Sequence, residues 1–292
     1  MLKLRRAEEA DRERILEISS EIWEGDDYLP NVLDAWLNDD IGEFTVGELD
    51  GRVIGCAKYT RLNSKEAWLE GIRGDKKYSG NGFGSAMTEY YINKAKAENL
   101  DYLRLSTHIE NHQSLNIIHK YGFKKDGCFS FHYKGTDFDK SVEQPESVVN
   151  LMSTSTVWHF ITKSSYYMMA NGYMSCGWEF IKLDYELVDR LVKENRVYGT
   201  IKNGRITAVM ILGDEPNYPG GISISYIDGN IEGIKKLLDY TDYYVRRNNK
   251  NFISIMATMD DRLLDLLQLS EYGHLLDKPR EADVFVYIYK LP

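Results

Sequence analysis

The 292-residue chain has little cysteine and proline, with three and six residues respectively. Cys56, Cys128 and Cys176 are odd in number and keep no metal-ligand spacing. They exclude a disulfide framework and point to reduced thiols in a cytoplasmic setting, or more plainly to three small buried apolar residues. No apolar run approaches the length of a bilayer span. Met1-Leu2-Lys3-Leu4-Arg5-Arg6 turns charged at once, so neither a secretory signal nor a membrane anchor is expected. A basic excess is also missing: 36 Lys and Arg stand against 45 Asp and Glu, a net charge of −9. With no basic patch or aromatic-basic stripe, nucleic acid is excluded as a partner and cationic acceptors such as amines are favoured. The six histidines supply no ligand framework, since His108 would end a strand and His112 would start a helix with no third ligand at fixed spacing. No metal is expected.

What is present is length for about two domains, 43% hydrophobic residues for their cores, and 21 tyrosines to pack them. Between a strand-like stretch, Glu66 to Arg73, and an amphipathic helix lies Tyr78-Ser79-Gly80-Asn81-Gly82-Phe83-Gly84. In the helix Phe83, Ala86, Met87, Tyr90 and Tyr91 share one face. A glycine-rich strand-to-helix turn lets backbone approach an anion, and the unpaired N–H groups of the first helical turn point at it. The spacing fits neither a Walker loop nor a dinucleotide fingerprint. On the glycines alone, a plain tight turn and an anion site both stay open.

The strand, loop and helix resemble motif A of the GNAT acetyltransferase superfamily, whose Arg/Gln-x-x-Gly-x-Gly/Ala holds the pyrophosphate of acyl-coenzyme A, with Ser79 to Gly84 on the motif. Downstream, Leu103 to Thr107 reads as a strand, followed by Asn111-His112-Gln113-Ser114 and a helix ending Lys120-Tyr121-Gly122-Phe123, which resembles motif B. The resemblance implies acetyl-CoA as cosubstrate, bound by Ile72, Arg73, Gly74, Ser79, Gly80, Asn81, Gly82, Phe83, Gly84, Ser85, Asn111, Ser114 and Ile118. The chain departs from the pattern twice. Ser79 stands where Arg or Gln is usual, and Ile118 stands where a Tyr often protonates the departing thiolate. A second similarity, in Asp27-Tyr28-Leu29-Pro30 with Trp36 and Trp68-x-Glu70-Gly71-Ile72-Arg73, is to two-domain members that acetylate free histidine.

The first half reads as strand 2–7, helix 9–23, helix 31–37, strands 43–49 and 52–61 around the Asp50-Gly51 turn, the motif A strand and helix, strand 102–107, the motif B helix, and strand 126–134. The second half echoes it. Asn203-Gly204 answers Asp50-Gly51, Phe252 to Ile255 answers Tyr102 to Leu105, and Tyr272-Gly273 answers Tyr121-Gly122, at near-constant offsets of 150 to 153 (252 − 102 and 203 − 50). A helix near 230–248 follows a turn that lacks the glycines and places Asp228 and Glu232 where phosphates would approach, so carboxylates would repel them. The expected fold is α/β: a mixed, mostly antiparallel GNAT sheet flanked by helices, then a degenerate second copy. The expected domains are 1–140, binding acyl-CoA, and 146–292, shaping the acceptor pocket or supporting the first, with a boundary between Gly135 and Pro145.

For chemistry, backbone N–H groups near Ile72 to Gly74 would polarise a thioester carbonyl if the motif A strand splays from its neighbour. Glu70 is the candidate base, with a solvated or Arg73-paired carboxylate as its plain alternative. Tyr121 and His119 are the donors nearest the missing acid, and Tyr121 is the one assigned. The expected function is N-acetylation of a primary amine of a small molecule, such as an amino acid. A non-catalytic acyl-CoA sensor and an acetyltransferase of protein Lys or N-termini are the alternatives. The partner is the amine, a homodimer is left open, and neither nucleic acid nor membrane is expected.

Overall fold

The computed structural model describes residues 1–139, 143 and 145–292. It divides into two compact units, Met1–Asp126 with Val286–Pro292, and Gly127–Phe285. Unit 1 contains β1 (Lys3–Arg6), α1 (Arg12–Ser20), α2 (Leu29–Leu37), β2 (Glu43–Leu49), β3 (Arg52–Arg61), β4 (Glu66–Gly74), α3 (Phe83–Ala97), β5 (Tyr102–His108) and α4 (His112–Lys120). β1 to β4 pair antiparallel in sequence order and β4 pairs parallel with β5. The β2–β3 hairpin closes on Asp50 and Gly51 at φ +52° and +80°, the two positive values a tight turn of this hand requires. Helix 9–23 is shorter than its pattern suggests. It ends at Ser20, and Trp23 and Glu24 take φ of +45° and +60°.

Side-chain parity places the helices. Phe44 packs on Trp36 of α2, with ring centroids 5.3 Å apart. A Cβ on Gly47 or Gly55 would lie 2.6 or 2.5 Å from the Phe83 ring of α3. Phe44 and Gly47 are of opposite parity on β2, so α2 and α3 cover opposite faces of the sheet.

β6 (Lys124–Gly135) runs across the division, and unit 2 continues with β7 (Val148–Asn150), α5 (Thr154–Thr162), α6 (Ser165–Met169), β8 (Tyr173–Cys176), β9 (Glu179–Lys182), α7 (Tyr185–Lys193), β10 (Val197–Lys202), β11 (Arg205–Asp214), β12 (Gly221–Gly229), α8 (Ile231–Arg247), β13 (Phe252–Ala257), α9 (Asp261–Leu269), β14 (Gly273–His274) and β15 (Val284–Lys290). β7, β10, β11 and β12 pair antiparallel and β12 pairs parallel with β13, the order of β1 to β5 again. Asn203 and Gly204 repeat the hairpin turn at φ +52° and +71°. On β11, Ala208, Met210 and Leu212 join the core under α8 and α9, while Val209 and Ile211 join the core under α5 and α7. Burial on both faces explains why that strand reads as one apolar run.

The strand expected to complete the first half goes elsewhere. From Ser130 to Gly135, β6 pairs with β13 in unit 2, from Phe252↔Gly135 to Ala257↔Ser130. Unit 1 is completed instead by β15, hydrogen-bonded beside β5, with Leu291 N–H donating to Asp101 O at 2.9 Å and Tyr289 packed on Phe123. The units therefore part at Asp126, ahead of the stretch Gly135 to Pro145, of which positions 140, 141, 142 and 144 lie outside the described residues. Among the described residues no helix is long and apolar enough to cross a membrane.

Candidate active site

β4 and β5 pair only at Glu66↔Tyr102, Ala67↔Leu103 and Trp68↔Arg104. β4 then runs on to Gly74 and β5 to His108 without further pairing, so the two strands part. On its other edge β4 carries a bulge: between Cys56↔Arg73 and Lys58↔Glu70, β3 advances two residues and β4 three. Gly71 supplies the φ of +64° at this bulge, and a Cβ there would strike the Trp36 ring at 2.4 Å. Such a bulge re-aims the amides and side chains that follow it, here Ile72 to Gly74 along the opened edge.

β4 feeds the glycine loop. Asp75 caps a short 3₁₀ turn, Lys76–Tyr78, by accepting from Lys77 N–H at 2.8 Å. Gly82 is the residue before α3, left-handed at φ +76°; it provides no side-chain cap, and the first turn of α3 holds no acidic residue. A Cβ on Gly80 or Gly82 would meet nothing within 4 Å. The leading N–H groups of α3 thus take no cap from the residue before them and have the positive end of the helix dipole behind them, which suits a phosphate. Phe83 is 8% exposed with its ring in the Gly47–Gly55 notch, so this residue offers backbone and fixes where the helix begins. Asn81 Nδ2 donates to Tyr78 O at 3.0 Å, and Ser79 is exposed.

Glu70 is paired neither with Arg73 nor freely with solvent. Its Oε1 accepts from Thr60 Oγ1 at 2.5 Å. Burial pushes its carboxyl above the ordinary range, while Thr60, Lys58 and Arg73 oppose the rise. The side chain keeps some solvent access, so burial here means low polarity around a reachable group. Arg73 turns the other way. Its Nε and Nη2 donate to Asp27 at 2.9 and 2.8 Å, and its guanidinium lies against the adjacent rings of Trp23 and Tyr28, 4.7 and 5.1 Å from their centroids. Asp27 also accepts from Ser19 Oγ at 2.8 Å. Arg73 therefore pins the α1–α2 segment to β4.

On α4, Asn111 Oδ1 accepts from Ser114 N–H at 3.1 Å, so these two residues begin the helix by capping it. Ile118 is 3% exposed and its side chain belongs to the core. Tyr121 O–H donates to Ser85 O at 2.8 Å, and Lys120 Nζ to Ser85 Oγ at 3.2 Å, which joins the end of α4 to the first turn of α3. His119 is exposed, its ring near Tyr287. The bond from Tyr121 occupies the proton that an acid would give. Thr60, Lys58 and Asp27 went unassigned in the sequence reading. Thr60 and Lys58 carried a strand-alternation signal, being on β3 opposite the Glu70 region, whereas Asp27 carried none for its pairing with a residue 46 positions away.

Unit 2 repeats the geometry with its contents changed. β12 and β13 pair from Gly221↔Phe252 to Ile224↔Ile255 and then part, with a bulge on β12 between Ile224 and Tyr226. Matching the first parallel pair of each unit puts Ser225 at the place of Glu70 (221 + 4 against 66 + 4). At the start of α8, Asn230 Oδ1 accepts from Gly233 N–H at 2.7 Å, and Glu232 in the first turn pairs with Lys236 at 2.8 Å. Asp228 does not face this turn as the sequence suggested. It is 2% exposed, accepts from Tyr226 O–H at 2.7 Å, and burial raises its carboxyl.

Comparison with known proteins agrees with this architecture. Among solved structures, similar ones include a GCN5-related N-acetyltransferase from Sphaerobacter thermophilus, with 12% identity over 99% of this chain and 96% of that chain at a TM-score of 0.63. A tandem GNAT protein from the clavulanic acid biosynthesis pathway has 10% identity over 100% and 99% at 0.59. The glucosamine N-acetyltransferase region of a fungal multi-domain β-N-acetylglucosaminidase has 11% identity over 99% of this chain and 38% of that chain at 0.64. At these identities the likeness is one of fold. No curated protein sequence matches the chain. The acetyltransferase (GNAT) family model matches residues 11–123, a span holding β4, the glycine loop, α3, β5 and α4, so this part of the chain is similar to the GNAT acetyltransferases.

Proposed function

We propose that the chain is an acetyl-CoA-dependent N-acetyltransferase acting on a primary amine of a small molecule, with one active site, in unit 1. The observation that carries the reading is the uncapped start of α3, opening beside the parted edge of β4 and β5. Acetyl-CoA, when bound, supplies the activated acetyl thioester. The N–H groups of α3 and the Gly80–Gly82 turn would hold its pyrophosphate, and the amides of Ile72 to Gly74 would polarise the carbonyl, preorganised donors being usually the largest catalytic term. Glu70, ionised, takes the proton from the incoming ammonium so that the nitrogen can attack, and its raised pKa makes it a better acceptor. Unit 2, with its helix start filled by Asn230, has a supporting or acceptor-side role.

A non-catalytic acyl-CoA sensor is the second reading, favoured by the buried Ile118 and the committed hydroxyl of Tyr121. Departure of a thiolate without a positioned acid costs roughly two to four powers of ten at most. Thiol release from acetyl-CoA with a panel of small amines, beside calorimetric titration with CoA, separates the two. Release with any amine supports the enzyme, binding without release supports the sensor, and absence of binding removes both.

A further inference from the structure

We infer that Thr60 is a positioning residue for Glu70, setting both the direction of its carboxylate and the pH at which it can act; this rests on Glu70 being the base. Thr60 pairs with Trp68 across the β3–β4 ladder, two positions from the Lys58↔Glu70 pair. It is thus the diagonal neighbour of Glu70 on one face, a relation within side-chain reach. Its hydroxyl donates to Glu70 Oε1 at 2.5 Å. The other charged and titratable groups facing Glu70 are spoken for. Lys58, directly opposite and 2% exposed, gives its ammonium to Asp39 and to Tyr59 O. Arg73 on the same strand is held by Asp27. Asp39 and Tyr28, from the segments around α2, act on Glu70 only at a distance.

A buried carboxylate whose cationic neighbours are engaged elsewhere has few ways to stay ionised. The Thr60 hydroxyl can only donate to the charged form of Oε1, so it favours ionisation and works against burial. It also leaves the second oxygen of Glu70 outside this bond, where an ammonium or a bridging water can reach it. Thr60 touches no reacting atom in this arrangement. It acts through Glu70.

The test compares pH profiles of acetyl transfer for the wild type, Thr60→Val, Thr60→Ser and Glu70→Gln. Activity depends on ionised Glu70, so the rate rises with pH through its pKa. Thr60→Val removes a donor to the charged form, and the acidic limb is expected to move to higher pH by about one unit, with the KM for acetyl-CoA unchanged. Thr60→Ser keeps a hydroxyl and is expected to restore the wild-type limb. A Val limb that coincides with the wild type, or a rate lowered equally at every pH, overturns the inference. Should Val fail a melting check, the Thr60→Ala and Thr60→Ser pair reads the same shift. If Glu70→Gln leaves rate and profile intact, the base assignment falls instead. Carbon-13 titration of the Glu70 carboxyl, assigned by its loss in Glu70→Gln, decides the Thr60–Glu70 coupling without any acceptor amine. An identical carboxyl titration in the Thr60→Val protein overturns the coupling.

Discussion

Gly82 holds two properties at once, a left-handed backbone and the absence of a cap on α3. Gly82→Asp exploits both. Asp tolerates this conformation better than most residues, and its carboxylate is a good helix cap, so the variant is expected to fold while filling the place of a phosphate with negative charge. Calorimetry should show no CoA binding at an unchanged melting temperature; retained affinity would move the pyrophosphate elsewhere. Ser79→Arg has the opposite sense, because an exposed guanidinium beside the loop can pair with phosphate oxygens. Its expected effect is tighter CoA binding, and weaker binding would show that Ser79 serves the turn itself. Glu70→Gln keeps the size of the side chain and its bond partner but cannot take a proton. Turnover should fall by roughly 10² to 10⁴ and the acidic limb should vanish, with CoA affinity unaltered. The sign is fixed by the direction of the shift: burial raises the Glu70 carboxyl, so the wild type loses activity as pH falls through that raised value. The fate of Arg73 shows why residue roles are hard to read from sequence. Its neighbours on β4 suggested a ligand contact, but its charge is engaged by Asp27 and its face by Trp23 and Tyr28, three residues whose closeness is a product of folding.

At the scale of elements, α3 and α8 are the same helix used in two ways. Both follow a strand that parts from its parallel neighbour. α3 begins with a bare glycine, whereas α8 begins with Asn230 satisfying Gly233 N–H and with Glu232 in its first turn. A helix that caps itself has fewer leading donors to give a ligand, and a carboxylate in its first turn disfavours an anion there. Titration with CoA should therefore give one site per chain, and a second site would mean that Asn230 yields its place. Much of this level was legible in the sequence. The Asp50-Gly51 and Asn203-Gly204 turns announce their hairpins because few residue pairs tolerate two successive positive φ values, and the apolar period of Phe83 to Tyr91 announces α3. The early end of α1 was not legible, because Ile22 turns extended and Trp23 and Glu24 turn left-handed, conformations that their residue types do not announce. Nor was the destination of β6, since an alternating strand carries no mark of which neighbour it will pair with.

At the scale of the molecule, unit 1 draws its last strand from Val286–Pro292. A chain stopped at Phe285 should leave β5 as an open edge and lose the packing of Tyr289 on Phe123. The expected result is a lower melting temperature for unit 1 and loss of CoA binding, with partial recovery on adding a peptide of residues 286–292, as strands add to open edges. Full stability and binding in the shortened chain would show that this strand is dispensable. The same feature sets a clock on synthesis. Between Asp126 and Val286 lie 160 steps of translation (286 − 126). At about 5 to 20 residues per second, unit 1 of the newborn protein waits on the order of ten to thirty seconds for its final strand. During that wait β5 is an unpaired edge open to any other nascent chain, so yield in the cell should depend on how fast the second half is made and on whether something shields β5 until it is.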